Sequence, residues 1–434
     1  MKKLPLSKKI FYGMGQLGVT IPAFFISTYI FIFYSPLQGT KILDASIVGI
    51  AMFTGTLIQA IANPFIGNWS DKIRFKIGRR RFFIMTGFIP LSLFFVLIWF
   101  PPFEGILMAF LLFFYLLSFN FLFAYVVLPY LALIPEIAKE SNDRVILTTI
   151  SAYFSIVGII LASILPSILL FFGLNLSDVG LILSIITLIS YFVVFLAIKE
   201  EVTNEKIPTE YSVVKAFIQT FKNKTFNKYI IAYLFFQFGF YFFLSSLGYY
   251  VENIVLPNNP NFKVYIGIFT LTAVIFTIIF SPILVWYTKK NGEKKSFILF
   301  TSILGIAMMF TSIVGIINVV SNILQMLILM VFAGLGLTSY FILPNAILSE
   351  IIDEDEIITG YRREGMYFGV QGLLERIPSG LSSFVLGIWI TFIYMPTMNN
   401  IYIRALGIIG GISTLITALL FVFVPLKQNV IKNE

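Results

Sequence analysis

The sequence has no cysteine and no histidine in 434 residues, and only 12% of it is charged. Without cysteine there is no disulfide, no thiolate nucleophile and no sulfur-ligated metal. Without histidine the commonest metal ligand is gone, and so is the side chain that titrates near neutrality unperturbed. No nucleophile–base set of the usual kinds can be assembled, and no glycine-rich loop with its phosphate-binding lysine and serine occurs. Catalysis and ATP-driven pumping are therefore not expected, and no cofactor or metal is expected either. The scarce charge is matched by 58% hydrophobic residues and a mean hydropathy of +0.94. A soluble domain is about half apolar and a quarter charged, and its interior could not hide this much apolar surface. Soluble enzymes, nucleic-acid-binding domains and disordered chains are excluded. The apolar blocks are continuous rather than alternating, which excludes a β-barrel and leaves an all-α integral membrane protein.

A spanning helix takes about 20 apolar residues. Twelve runs qualify: 10–34, 46–68, 82–100, 105–134, 145–172, 178–198, 227–251, 263–288, 296–317, 322–349, 366–394 and 401–425. The first is longer than the roughly 7–15 residues of a signal-peptide core and is read as a span. Twelve spans put the N-terminus, every even-to-odd loop and the C-terminus on one side. That side collects 26 of the 30 Lys and Arg; the other has Lys41, Lys263 and Arg404, and Arg376 falls within a span. The bias predicts cytoplasmic termini and assigns the net charge of +9 to loops facing the cytoplasm rather than to nucleic acid. The 49 Phe and 21 Tyr are expected mainly at lipid-facing and interfacial positions.

The longest polar stretch divides the spans six and six, giving bundles at 1–198 and 227–434 joined by a cytoplasmic linker at 199–226. An internal repeat supports this division. Asn63-Pro64 and the basic loop that follows, through Gly78-Arg79-Arg80-Arg81, match Ser281-Pro282 and the loop through Gly292-Glu293-Lys294-Lys295. Leu128-Pro129 with Glu136-Ile137 matches Leu343-Pro344 with Glu350-Ile351. Two six-helix halves in parallel repeat are the plan of the major facilitator fold.

Gly67, Asp71, Arg79 and Arg80 lie in or beside the tight loop after span 2, with Arg144 and Arg362 in later loops of the same side. Small Gly67 permits close helix contact. Asp71 is suited to cap a helix or pair with an arginine, so the set is read as a cytoplasmic gate.

With Asn63-Pro64-x-x-Gly67-x-x-x-Asp71 and Gly78-Arg79-Arg80-Arg81, the chain resembles the glycoside–pentoside–hexuronide:cation symporters, the major facilitator branch of melibiose permease and relative of lysolipid transporters. Three further stretches agree: Tyr12-Gly13-Met-Gly15, Leu128-Pro129-Tyr130 through Pro135-Glu136, and Ser349-Glu350 through Val370-Gln371. The resemblance implies a transporter of sugars or glycosides. Its carboxylates do not carry over. The cation-binding aspartates of span 2 fall on Gln59 and Asn63, that of span 1 on Thr20, and the sugar-binding aspartate of span 4 on Val127. The sugar-stacking tryptophan falls on Leu131, the span 5 arginine on Ser151, and the span 11 lysine on Arg376.

The residues themselves point the same way. Glu375 is the one carboxylate expected well inside a span, and Arg376 the one such base. Intramembrane charges cost at least about 2.5–3.5 kcal/mol and so mark functional candidates. Arg376, Gln59, Asn63, Thr20, Asn120, Tyr130, Gln237, Tyr241, Asn345 and Gln371 are the candidates for binding substrate, and Glu375 is the candidate for coupling, to H+ before Na+. The run Asp353 to Glu356 is expected to be a solvated cap rather than a metal site. The reading is a monomeric plasma-membrane transporter working by alternating access on a sugar or glycoside, or alternatively on a lysolipid-like amphiphile. A non-transporting receptor or scaffold is the reading from another class; the nine residues after Pro425 are expected to be too few for its soluble domain.

Overall fold

Each apolar run forms a helix, because in a lipid core a backbone satisfies its N–H and C=O groups only within a helix or a closed barrel. The computed structural model describes residues 4–72, 75, 77–138, 140–198, 219–316, 320–360 and 364–426. The long helices are α1 (Leu6–Tyr34), α2 (Ala45–Lys72), α3 (Arg79–Ile98), α4 (Gly105–Ala132), α5 (Ser141–Phe171), α6 (Leu176–Ala197), α7 (Lys224–Tyr250), α8 (Phe262–Asn291), α9 (Glu293–Phe310), α10 (Asn322–Thr359), α11 and α12 (Asn400–Val422). α11 comes in two segments, Glu364–Leu374 and Arg376–Ile388. The described residues hold twelve segments long and apolar enough to cross a membrane, as the sequence predicts, and no strand.

Two boundaries differ from the sequence expectation. α10 runs ten residues past its apolar stretch, so the acidic run continues a helix and Asp355 is buried rather than solvated. α7 passes into a π-helical segment, Val251–Val255, which carries the span to Val255. Glu252 is thereby fully buried, so Glu375 is not the only carboxylate inside a span.

The chain divides into two units, Met1–Pro208 and Thr209–Glu434. In the first, α1 packs on α5 and α6, α2 on α4, and α3 on α4 and α6. In the second, α7 packs on the second segment of α11 and on α12, α8 on α10, and α9 on α10 and α12. Each pairing is that of the first unit advanced by six helices, which is the parallel repeat in its packing. α9 and α10 approach closely at Gly336, where a β-carbon would stand 2.5–2.7 Å from Leu304 Cβ, N and Cα.

The repeat extends to single residues. Gly78 (φ 112°) precedes α3 and Gly292 (φ 83°) precedes α9, at backbone angles open chiefly to glycine. The next residue in each half then faces the glutamate at the end of the repeated Leu-Pro motif. In the first half Arg79 ion-pairs with Glu136. In the second half Glu293 lies within hydrogen-bonding reach of Glu350, with Asp353 and Glu354 also close to that carboxyl. One geometry thus holds an ion pair in one half and two carboxyl groups in the other. Glu293→Arg is expected to restore the ion pair and to stabilise the protein by about 1 kcal/mol, a modest figure because the pair is partly solvated. Thermal unfolding in detergent checks it; an unchanged or lowered melting temperature would show that Glu293 is already accommodated.

Candidate functional site

The polar residues of the second unit gather where α7 faces α11. α7 carries Tyr229, Tyr233, Gln237 and Tyr241, four residues apart and therefore on one slowly turning stripe. α11 presents Gln371 and, one turn on, Glu375 and Arg376. The break in α11 follows from Pro378, which lacks the N–H that Leu374 C=O would otherwise receive. The Glu375 N–H still reaches the Gln371 carbonyl at 2.9 Å, so the disruption is local.

The hydrogen bonds match the two spacings. Tyr229 Oη lies 2.8 Å from Gln371 Oε1. Tyr233 Oη donates to Glu375 Oε2 at 3.2 Å and receives Gln237 Nε2 at 2.5 Å. The Tyr229 and Tyr233 rings stack, 5.8 Å apart and 13° from parallel. Arg376 Nη2 stands 3.5 Å from Glu375 Oε1, and the Tyr241 and Tyr340 hydroxyls lie near each other and near the guanidinium. Tyr229, Tyr233, Gln237 and Gln371 are buried, whereas the Glu375 and Arg376 side chains keep 27% and 28% exposure. Among the described residues two buried atoms here have no partner, Gln237 Oε1 and Arg376 Nε. One accepts and the other donates, and beside them the Glu375 carboxylate is partly open.

Of the sequence candidates, Arg376, Glu375, Gln371, Gln237 and Tyr241 are brought together. Asn345 is exposed on α10 and makes no hydrogen bond to this cluster; its carbonyl accepts the Ser349 hydroxyl. Tyr229, Tyr233 and Tyr340 were not singled out. Their signal was the fourfold spacing of Tyr229-Tyr233-Gln237 against Gln371-Glu375.

In the first unit, Gln59 is buried and Asn63 half-buried, and neither amide has a hydrogen-bond partner among the described residues. No set of three His, Cys, Asp or Glu able to hold a metal occurs among the described residues. Three other candidates serve helix packing instead. Tyr130 is fully buried; its hydroxyl donates to the Tyr12 carbonyl while the Tyr12 hydroxyl donates to the Tyr130 carbonyl, each at 2.8 Å, with the rings stacked. Thr20 donates to Gln16 O and sits against bare Gly158, and Asn120 donates to Leu116 O beside Gly55. Of the three, Tyr130 bonds across helices, as polar glue does in a bundle without a hydrophobic drive between helices; Thr20 and Asn120 bond within their own helices and fill the space beside glycines of neighbouring ones.

Of the residues read as a gate, Arg79, Arg80 and Arg144 are engaged within the first unit. Arg79 donates to Glu136, and Arg80 Nε lies 3.2 Å from the same oxygen. Arg144 Nε donates to the Ala138 carbonyl, and Lys9 forms a buried pair with Asp143 at 2.6 Å. Gly67 lets the Leu128 side chain approach α2. The Asp71 side chain and Arg362 lie outside the described residues. A cavity of about 810 Å³ lies at the α8–α9 turn, lined by Thr225, Lys289, Glu293, Glu350 and Glu354 among others. It is built from helix ends and carries charges of both signs, and none of Tyr229, Tyr233, Gln237, Tyr241, Gln371, Glu375 or Arg376 lines it.

Residues 11–427 match the model of a family described as MFS/sugar transport protein. An uncharacterized symporter of Synechocystis sp. is 24% identical across 89% of this chain and 86% of its own. The raffinose carrier protein of Pediococcus pentosaceus is 23% identical across 87% of this chain and 61% of its own. Among solved structures, a mutant of the nucleoside transporter NupG shares the fold with a TM-score of 0.70 at 12% identity, over 97% of this chain and 99% of that one.

Proposed function

The chain belongs to the MFS/sugar transport protein family, and on that premise we propose that it carries a sugar or glycoside across the plasma membrane by alternating access, with both termini in the cytoplasm. The observation that carries the reading is the α7–α11 cluster. There a carboxylate and a guanidinium keep partial exposure within a tyrosine-lined setting, and a buried donor and a buried acceptor have no partner among the described residues. Polyols need such mixed donors and acceptors, with aromatic faces beside them. An adjacent carboxylate disfavours an anionic headgroup, so a neutral sugar fits better than a phosphate-bearing amphiphile. The amides of Gln59 and Asn63, where the resembling symporters have carboxylates, support transport driven by the solute gradient or by protons through Glu375 rather than by sodium.

The test is uptake into proteoliposomes with radiolabelled melibiose, raffinose and methyl β-glucoside, beside uridine and lysophosphatidylcholine. At least one sugar is expected to be taken up, at a rate unchanged when choline replaces Na+ at fixed pH. Uptake of lysophosphatidylcholine alone would replace the sugar reading with the amphiphile one. Strong sodium stimulation lost in Gln59→Ala would show a cation held by neutral oxygens and return sodium symport to first place.

A further inference from the structure

Two side chains of α7, Tyr229 and Tyr233, meet α11 in register and a third, Gln237, backs Tyr233, yet none of the three needs to touch a solute to matter. We propose that Tyr229, Tyr233 and Gln237 are positioning residues: a hydrogen-bonded rail on α7 that holds Gln371 and Glu375 of α11 in place across the break in that helix. The inference rests on the reading of Glu375 and Arg376 as the working charges of the transporter, and it assigns the means by which they are aimed.

The geometry supports the rail in three ways. Both helices carry their polar groups one turn apart, so Tyr229 meets Gln371 and Tyr233 meets Glu375 without either helix bending to reach. The donors run in one direction. Gln237 Nε2 donates to Tyr233 Oη, which donates to Glu375 Oε2, and a hydroxyl that receives a hydrogen bond becomes a stronger donor. Finally, the rail crosses the one place where α11 has lost its own support. Glu375 sits between two helical segments, with Pro378 unable to donate to the turn before it. Tyr233 thus holds one carboxylate oxygen from α7, while Arg376 of α11 stands 3.5 Å from the other.

Tyr229 adds a feature that a purely structural tyrosine would lack. Its single proton faces two acceptors, Gln371 Oε1 at 2.8 Å on α11 and the Pro344 carbonyl at 3.1 Å on α10. It can bond one helix or the other, and the shorter distance favours α11.

The test needs no knowledge of the solute. Dicyclohexylcarbodiimide modifies carboxyls in apolar surroundings, and peptide mass spectrometry reads its rate at Glu375 in the full-length protein in liposomes. Tyr233→Phe removes only the hydroxyl and is expected to raise that rate on the order of tenfold, as loss of a hydrogen bond to a charged group implies. Tyr250→Phe is the control; that tyrosine lies on the same helix, is buried, and donates instead to the Thr311 carbonyl, so no change is expected at Glu375. A merely structural role would lower the melting temperature and leave the rate alike in both variants, which overturns the proposal. If Tyr233→Phe fails to fold, Gln237→Met removes the donor behind the tyrosine and is expected to raise the rate less; no rise there is equally adverse. The two readings fail separately. An unaltered labelling rate removes the rail whatever the solute, whereas wild-type uptake by Glu375→Gln removes the working charge while a raised labelling rate still stands.

Discussion

Arg376→Ala is expected to reduce solute uptake by roughly tenfold to a hundredfold in apparent affinity while leaving a folded, monodisperse protein. A hydrogen bond to a charged group contributes about 1.5–3 kcal/mol, and each 1.4 kcal/mol is a factor of ten. The guanidinium is partly exposed, and its buried Nε has no partner among the described residues, so removing it takes more from the solute than from the fold. Arg376→Lys keeps the charge but loses the planar fork, and is expected to retain part of the activity. A neutral sugar should tolerate the lysine better than an anionic solute, so the pair of variants reports solute class as well as location. Uptake of the sugar selected by the panel, measured beside size-exclusion profiles and melting curves, checks both. Wild-type transport by Arg376→Ala would place the transport path elsewhere in the protein.

Gly336→Leu is expected to prevent accumulation of folded protein. A β-carbon at this position would lie 2.5–2.7 Å from Leu304, and two of the three atoms it meets are backbone, which cannot rotate away. α9 and α10 would have to separate along a shared face, and overpacking of a closed interface costs typically 1–3 kcal/mol or more for far smaller insertions. Gly336→Ala should be tolerated poorly and the leucine not at all. Gly369→Ala is the comparison, since a β-carbon there meets nothing within 4 Å. Fluorescence-detected size exclusion of detergent extracts separates the outcomes; a symmetric peak from Gly336→Leu at wild-type yield would mean that the two helices are not held as described.

The twelve spans and the repeat were legible in the sequence because both depend on long-range composition. A run of about 20 apolar residues has one stable fate in lipid, and the repeated prolines and basic loops recur at fixed offsets. Glu252 escaped because the apolar run stops at Val251, while a π turn carries the span onward; such turns leave little trace in composition. Arg376 and Glu375 stand out in the sequence because charge in a span is costly enough to be conspicuous, and Gln371 because it lies one turn before Glu375. Tyr229 and Tyr233 were not, since tyrosines near a span end read as an interfacial belt and only the partner helix reveals their alignment. Tyr130 misled for the converse reason. Its polarity and its place beside the resembling family's sugar-binding positions suggested a solute, but its hydroxyl is already satisfied by Tyr12.

The tyrosine bonds between helices also set how stiff each half is. Tyr12 and Tyr130 each donate to the other's carbonyl, so sliding α1 against α4 in either direction stretches two bonds at once. In the second half the matching motif reads Leu343-Pro344-Asn345, with no phenol to return the bond, and Tyr229 is left with one proton and two acceptors on different helices. A small slide there exchanges one acceptor for the other, so one bond at a time resists it where two resist in the first half. While the bond stays on Gln371 it holds α11, the helix that carries Glu375 and Arg376; on the Pro344 carbonyl it holds α10 instead.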